Sequence, residues 1–151
     1  MDKLYIYTDG SSKGNPGVGG WGVVMKFDGR VKELSGGDDF TTNNRMELRA
    51  VIMGLEAINR TNTKIVIHSD SMYVINAFVK KWVFNWEKDN YKGKKNSDLF
   101  KILLELYRRF ESIEFLWVKG HSGHEENENC DSLAVAMSLS KPQTEDDGYE
   151  G

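Results

Sequence analysis

Residues 64–70, KIVIHSD, set apolar side chains next to one another where a surface strand would alternate them. A short run of this kind suits a strand covered on both faces, which belongs to parallel sheets layered with helices. The flanking patterns agree. Upstream, Leu4, Ile6 and Thr8 alternate with Tyr5, Tyr7 and Asp9 at the period of a strand, followed by a glycine-rich turn, GSSKGNPGVGG. Residues 21–27 and 30–36 read as two further strands around the hairpin signal Asp28-Gly29. From 43 to 60 the period changes: Glu47, Val51, Gly54, Leu55 and Ile58 fall on one helical face, with Met46, Ala50, Met53 and Ala57 beside it. A helix over 71–80, a basic tryptophan-containing segment, and a helix marked by Leu99, Ile102, Leu103, Leu106 and Phe110 come next, with Ser97 as the expected N-cap. Ile113, Phe115 and Trp117 alternate as a fifth strand, and a last helix is expected over 127–140. The order βββαβααβα predicts an α/β fold with a five-stranded mixed sheet: an antiparallel meander of strands 1–3, parallel additions 4 and 5, and helices on both faces.

A chain of 151 residues has room for one domain, and 39% hydrophobic with 28% charged residues is ordinary for a folded one. No apolar run reaches the roughly 18 residues that span a bilayer, and the start MDKLYIYTDG lacks the order of a signal peptide. No membrane association is expected. The single cysteine, Cys130, excludes an internal disulfide and a cysteine zinc cluster, and a reduced, cytoplasmic setting is expected. The net charge of −3 resides wholly in the tail 141–151, which carries one lysine against Glu145, Asp146, Asp147 and Glu150. We therefore read 1–140 as the domain and 141–151 as an acidic, mobile tail. Within the neutral body, residues 80–101 hold seven lysines against Glu87, Asp89 and Asp98. That is a hint of a polyanionic partner, although a solvated lysine-rich loop reads the same way.

Several acids stand where carboxylates are uncomfortable. Asp9 and Asp70 end the first and fourth strands, and ligands of open α/β sheets collect beyond the carboxyl ends of strands. Glu47 continues an apolar helical stripe, and Asp131 lies in the first turn or so of the last helix. If these four converged, their mutual repulsion would demand cations, and two divalent ions would cancel it. Each acid also has a local explanation. Asp9 and Asp70 suit turns or caps, Glu47 stands three residues after Asn44 in the manner of a capping box, and Asp131 suits a helix dipole.

The segments YTDGSSKGNPGVGGWG, TTNNRMELRAV, SDSMYV and VKGHSGHEENENCDSLA, in this order over residues 4–136, together resemble bacterial type 1 ribonuclease H. The resemblance implies a metal-dependent endonuclease that hydrolyses the RNA strand of RNA–DNA hybrids, leaving 5′-phosphate and 3′-hydroxyl ends. It also implies that Asp9, Glu47, Asp70 and Asp131 hold two Mg²⁺ ions, with Mn²⁺ as a substitute suited to all-oxygen ligands. Metal bound there lowers the pKa of the attacking water and stabilises the leaving oxygen. His121 matches the loop histidine that assists proton transfer or product release, a role suited to imidazole near neutrality. His124, three residues on, has no such match.

The same resemblance assigns the substrate grip. Asn15, Asn43, Asn44 and Ser71 would read ribose 2′-hydroxyls in the minor groove. Trp82 and Trp86 would offer flat apolar surfaces to the DNA strand; core packing is the competing reading, stronger for Trp82 than for Trp86. Thr42 and Asn96 match residues that line a DNA-phosphate pocket, and Lys88, Lys92, Lys94 and Lys95 would add salt-sensitive attraction. The chain departs from the family pattern where the basic protrusion between Trp86 and Asn96 is shortened and Glu87 and Asp89 intrude. It departs again at Met72, in place of a polar residue, and at Phe84, where some relatives carry histidine. The expected partner is the hybrid duplex, bound by a monomer. A binding module that holds hybrids without cutting is the alternative, and the intact carboxylate set argues against it. A transposase- or resolvase-like nuclease is a third reading, disfavoured by the GHSGH loop and the NRMEL helix.

Overall fold

The computed structural model describes residues 3–59 and 63–118. Five strands form one sheet in the order β3-β2-β1-β4-β5. β1 (Lys3–Gly14), β2 (Gly17–Phe27) and β3 (Arg30–Thr41) make the antiparallel meander, while β4 (Lys64–Ser69) and β5 (Ser112–Trp117) are added in parallel. The alternation in β1 becomes geometry: Ile6 and Thr8 are fully buried while Tyr5 is exposed. β4 is the covered central strand that its apolar run required, with Ile65, Val66 and Ile67 all buried. Asp28 and Gly29, both at positive φ, turn β2 into β3 as an Asp-Gly hairpin should.

The glycine-rich stretch is not the wide turn that its composition implied. β1 runs to Gly14 and β2 begins at Gly17, with Ser11 paired to Gly20 and Ser12 to Gly19, so Asn15 and Pro16 alone join the strands. Glycine is present here for close approach: a Cβ on Gly10 would collide with the backbone of Met46 and Glu47. The extension of β2 also gives β3 a partner beyond residue 36, through a register shift to the pair Gly17–Thr41.

α1 (Asn43–Glu56) is shorter than the 43–60 expected, and its N-cap is Thr42, whose hydroxyl oxygen accepts the Arg45 N–H at 3.2 Å. The capping box between Asn44 and Glu47 therefore does not form; Asn44 sits exposed in the first turn and Glu47 is buried one turn further on. α1 lies on β1 and β2, with Gly54 seated over Ile6 and Val23. α2 (Met72–Val79) covers the same face further along, where Phe78 stacks on Phe115 of β5 at 4.6 Å. α3 (Trp82–Lys88) leans on α2, and α4 (Ser97–Arg109) packs against α1. Asn96, rather than the expected Ser97, occupies the N-cap of α4. Ile6, Val23, Met46, Val51, Ile67, Phe100 and Leu103 are among the side chains of one continuous core. Residues 127–140, expected as the final helix, and the acidic tail lie outside the described residues.

Candidate active site

The parallel ladder between β1 and β4 stops where β4 ends; β1 itself runs on to Gly14, so Asp9 lies inside its strand rather than at the strand end expected. Thr8 of β1 pairs with Ser69 of β4, so the next residues, Asp9 and Asp70, emerge together at the carboxyl edge. Glu47 reaches the same point from α1, because Gly10 lets the helix backbone lie directly on the strand. The Gly10 N–H lies 2.9 Å from Asp9 Oδ1 and 2.9 Å from Glu47 Oε1, which fixes both carboxylates against one peptide. Carboxylate oxygens of Asp9, Glu47 and Asp70 lie within 4.8 Å of one another.

Asp9 and Glu47 are each only 7% exposed. Their environment makes the anionic state costly. Burial, then the charge of Asp9 and its proton-accepting oxygen, then the charge of Asp70, push the Glu47 carboxyl well above the usual carboxylate range; the Gly10 N–H opposes them. Among the described residues no hydrogen-bond donor reaches the buried Glu47 Oε2. A buried carboxylate oxygen left unpaired, in a cluster of like charges, is an expensive arrangement that a hard divalent cation would resolve. The three acids thus fit an all-oxygen metal site, whereas the turn and cap explanations fit none of the observed contacts of Glu47.

The other expected site residues divide into three groups. Ser71 follows Asp70 in the chain, and Asn43 and Asn15 are tied together at the far end of β1, beyond Asp9. Asn43 Oδ1 accepts the Ser12 N–H at 2.6 Å and the Ser12 hydroxyl at 3.0 Å, and Asn15 Oδ1 accepts the Asn43 N–H at 3.2 Å. Ser71 caps α2, its oxygen accepting the Val74 N–H at 3.3 Å. A second group surrounds α3. Trp82 and Trp86 share a helical face, with ring centroids 6.5 Å apart. Lys80 Nζ lies 5.2 Å from the Trp82 ring and Lys94 Nζ 5.3 Å from that of Trp86. The tryptophans reverse the expected order: Trp82 is 41% exposed, whereas Trp86 is half-buried, edge-on to Phe100 at 5.2 Å. Trp86 fills the hollow between α3 and α4, which a four-residue spacing alone does not reveal. Lys88, Lys92, Lys94 and Lys95 are exposed. Phe84 is a packing residue, edge-on to Phe78 and Tyr107. The third group, His121, His124 and Asp131, lies outside the described residues.

The intrusion of acid into the basic segment is offset. Arg108 grips Glu87 with two bonds of 2.6 Å, and that hydrogen bonding holds the Glu87 carboxyl below its usual range. Arg45 similarly pairs with Asp98 through both guanidinium nitrogens, at 2.9 and 2.6 Å. Two of the three acids in 80–101 are thereby neutralised by arginines from outside the segment, so its lysines act less opposed than the sequence count indicated.

Arg45 was not visible as a functional candidate. It is 1% exposed and also donates to Asn96 Oδ1 at 3.1 Å, while Asn96 Nδ2 donates to the Tyr73 hydroxyl at 2.9 Å. Its only signal is its position inside NRMEL, since an arginine on an apolar helix stripe needs a partner. Trp117 was likewise unassigned, and its indole N–H donates to the Asp70 carbonyl oxygen at 3.2 Å, bracing the end of β4.

A mixed sheet with three clustered carboxylates beyond its central parallel strands defines the class: a metal-dependent enzyme of the α/β kind with an exposed basic face. The chain belongs to the RNase H family, whose model matches residues 1–138. It is 47% identical over 149 residues to a ribonuclease H of Nitratidesulfovibrio vulgaris strain DP4, covering 95% of this chain and 94% of the relative. It is 48% identical over 144 residues to the ribonuclease HI of Helicobacter pylori strain 26695, covering 95% and 99%. Among solved structures, LC9-RNase H1, a type 1 RNase H with the type 2 active-site motif, superposes with a TM-score of 0.81 at 30% identity, over 91% of this chain and 72% of that one. LC11-RNase H1, solved in complex with an RNA/DNA hybrid, superposes with a TM-score of 0.68 at 25% identity over 88% and 94%.

Proposed function

We propose that this enzyme cuts the RNA strand of RNA–DNA hybrids endonucleolytically, leaving 5′-phosphate and 3′-hydroxyl ends, with Asp9, Glu47, Asp70 and Asp131 holding two Mg²⁺ ions. The observation that carries the reading is the buried carboxylate cluster with its unpaired Glu47 oxygen. Bound there, divalent metal supplies a nucleophilic water at neutral pH and charge stabilisation for the phosphate in flight. The chain's own residues position the rest. Gly10 fixes the Asp9 and Glu47 carboxylates by its N–H, and the Asn15–Asn43–Ser12 cluster offers short polar groups suited to ribose hydroxyls. Thr42 and Asn96 would hold a DNA phosphate. Trp82, Trp86, Lys94 and Lys95 would carry the DNA strand beyond it, and His121 would move a proton near the reacting phosphate. Mn²⁺ is the substitute of choice for an all-oxygen set. We take 1–140 as the catalytic domain and 141–151 as an acidic tail, a division that the end of the family match at residue 138 supports. Among the described residues no helix is long and apolar enough to cross a membrane.

The test is incubation of the purified protein with end-labelled hybrid, with and without Mg²⁺, beside double-stranded RNA and double-stranded DNA. Cleavage of the RNA strand of the hybrid alone, and only with metal, is the expected result. Tight hybrid binding with no cut at any divalent metal would establish the binding module instead.

A further inference from the structure

Arg45 touches both residues expected at the DNA phosphate. Its backbone N–H donates to Thr42 Oγ1 at 3.2 Å, and its guanidinium donates to Asn96 Oδ1 at 3.1 Å. Each contact settles a polarity. With its oxygen engaged as an acceptor, the Thr42 hydroxyl retains a hydrogen to give. With Oδ1 facing a cation and one Nδ2 hydrogen held by the Tyr73 hydroxyl, the Asn96 amide cannot flip, and its second Nδ2 hydrogen is aimed in a fixed direction. Asn96 also forgoes what its position offers. It stands at the N-cap of α4 in a left-handed conformation, φ 61°, yet its side chain makes no capping bond. An asparagine at an N-cap ordinarily satisfies the first turn. Here the side chain is spent on Arg45 and Tyr73 instead.

We propose that Arg45 is a positioning residue whose guanidinium fixes Asn96 as a hydrogen-bond donor beside Thr42, itself held by the helix-capping bond from the backbone N–H of residue 45, so that the DNA-strand phosphate grip is set without the guanidinium touching the nucleic acid. This rests on the assignment of Thr42 and Asn96 to a DNA phosphate made above. The charge needed for the task is available in the interior because Asp98 neutralises it with a two-point bond, leaving Arg45 rigid. Donors held in advance bind an anion without the cost of ordering them, so the arrangement contributes affinity rather than chemistry.

The experiment is a double-mutant cycle on Arg45→Lys and Asn96→Ala, read as kcat and KM on a hybrid and on hybrids carrying one neutral methylphosphonate at successive DNA linkages. Arg45→Lys keeps the charge but loses the planar two-point fork on Asp98 that holds the donor to Asn96 rigid; KM should rise about tenfold, the worth of one charge-assisted bond, with kcat little changed. The double variant should be no worse than Asn96→Ala alone. At one neutralised linkage the Arg45→Lys variant and the parent should converge. Tyr73→Phe, which loses only the acceptor for the Asn96 amide, should move KM the same way by a smaller factor and serves if Arg45→Lys does not fold. Additive losses, a fall in kcat with KM constant, or an equal penalty at every linkage would overturn the proposal. A parent enzyme that neither binds nor cuts hybrid would instead remove the functional reading beneath it.

Discussion

Glu47→Gln should abolish cleavage and yet make the metal-free protein more stable. The cause is crowding, since oxygens of Glu47, Asp9 and Asp70 share a space within 4.8 Å. At an effective dielectric of about 20, like charges at that separation repel by roughly 3 kcal/mol per pair. Protonation caps the cost: keeping a proton at pH 7 on a group with an unfolded pKa of about 4.3 costs at most about 4 kcal/mol. The Gly10 N–H works in the other direction, and glutamine retains an acceptor for it but without the charge, a loss of about 1–2 kcal/mol. The net gain is about 2–3 kcal/mol, and at about 2–4 °C per kcal/mol for a chain of this size Tm should rise by about 4–12 °C in EDTA at pH 7. The sign with pH follows from the direction of the shift. Burial and Asp9 raise the folded pKa, so the stability linked to Glu47 is full below its unfolded value and lost as pH climbs through the folded one. The gap between variant and parent should therefore close on acidification toward pH 4. Millimolar Mg²⁺ should stabilise the parent more than the variant. Thermal melts at several pH values, with EDTA or Mg²⁺, measure all of this. A variant that melts at or below the parent at neutral pH without metal, or a gap indifferent to pH, would refute the reasoning.

Asp70→Asn should remove cleavage while hybrid binding, measured in EDTA by fluorescence anisotropy, stays within a few-fold, because the basic face around α3 is untouched. Raising salt from about 50 to 200 mM should lift KM steeply and leave kcat nearly constant, since the exposed lysines act on phosphates through counterion release; a flat KM in a salt series would remove the basic face from the account. Gly10→Ala should destabilise the fold by more than about 3 kcal/mol in urea melts, since the added methyl meets the Met46 and Glu47 backbone rather than a side chain that could move. Trp86→Ala should cost about 3 kcal/mol of stability and Trp82→Ala under about 1, reversing the order that helical spacing alone implies.

What the chain shows in one dimension follows from which features are periodic. The 64–70 run, the alternation of Leu4, Ile6 and Thr8 and the stripe of 43–60 each encode burial, so sheet order and the main helices follow from them with little loss. The glycine-rich stretch misleads because composition speaks for turns while the ladder partners lie elsewhere in the chain: Ser11 and Ser12 need Gly20 and Gly19 opposite them to be strand. Capping misleads for a related reason. Thr42, Asn43 and Asn44 are all able caps, and the choice falls to Thr42 because Asn43 is committed to Ser12 of β1.

The candidate site is legible in part for a deeper reason. Carboxylates that repel need a shared purpose, and an acid on an apolar helical stripe is misplaced, so Glu47 betrays itself, while Asp9 and Asp70 suit local turns in the sequence and are set apart only by the strand pairing that brings them to it. Arg45 is more misplaced than any of them and gives no such sign, because the partners that excuse it, Asp98 and Asn96, stand 53 and 51 residues away. A buried charge costs several kcal/mol unless it is paired, and the Arg45–Asp98 pair, where an apolar substitute would serve stability as well, is given a task by the proposal above. In this fold the task available is orientation: the same guanidinium that Asp98 neutralises reaches the one asparagine that declines to cap its own helix. Stability alone would favour a leucine at position 45 and a capping asparagine at 96; the chain has neither, and the difference is what the hybrid's DNA strand is expected to feel.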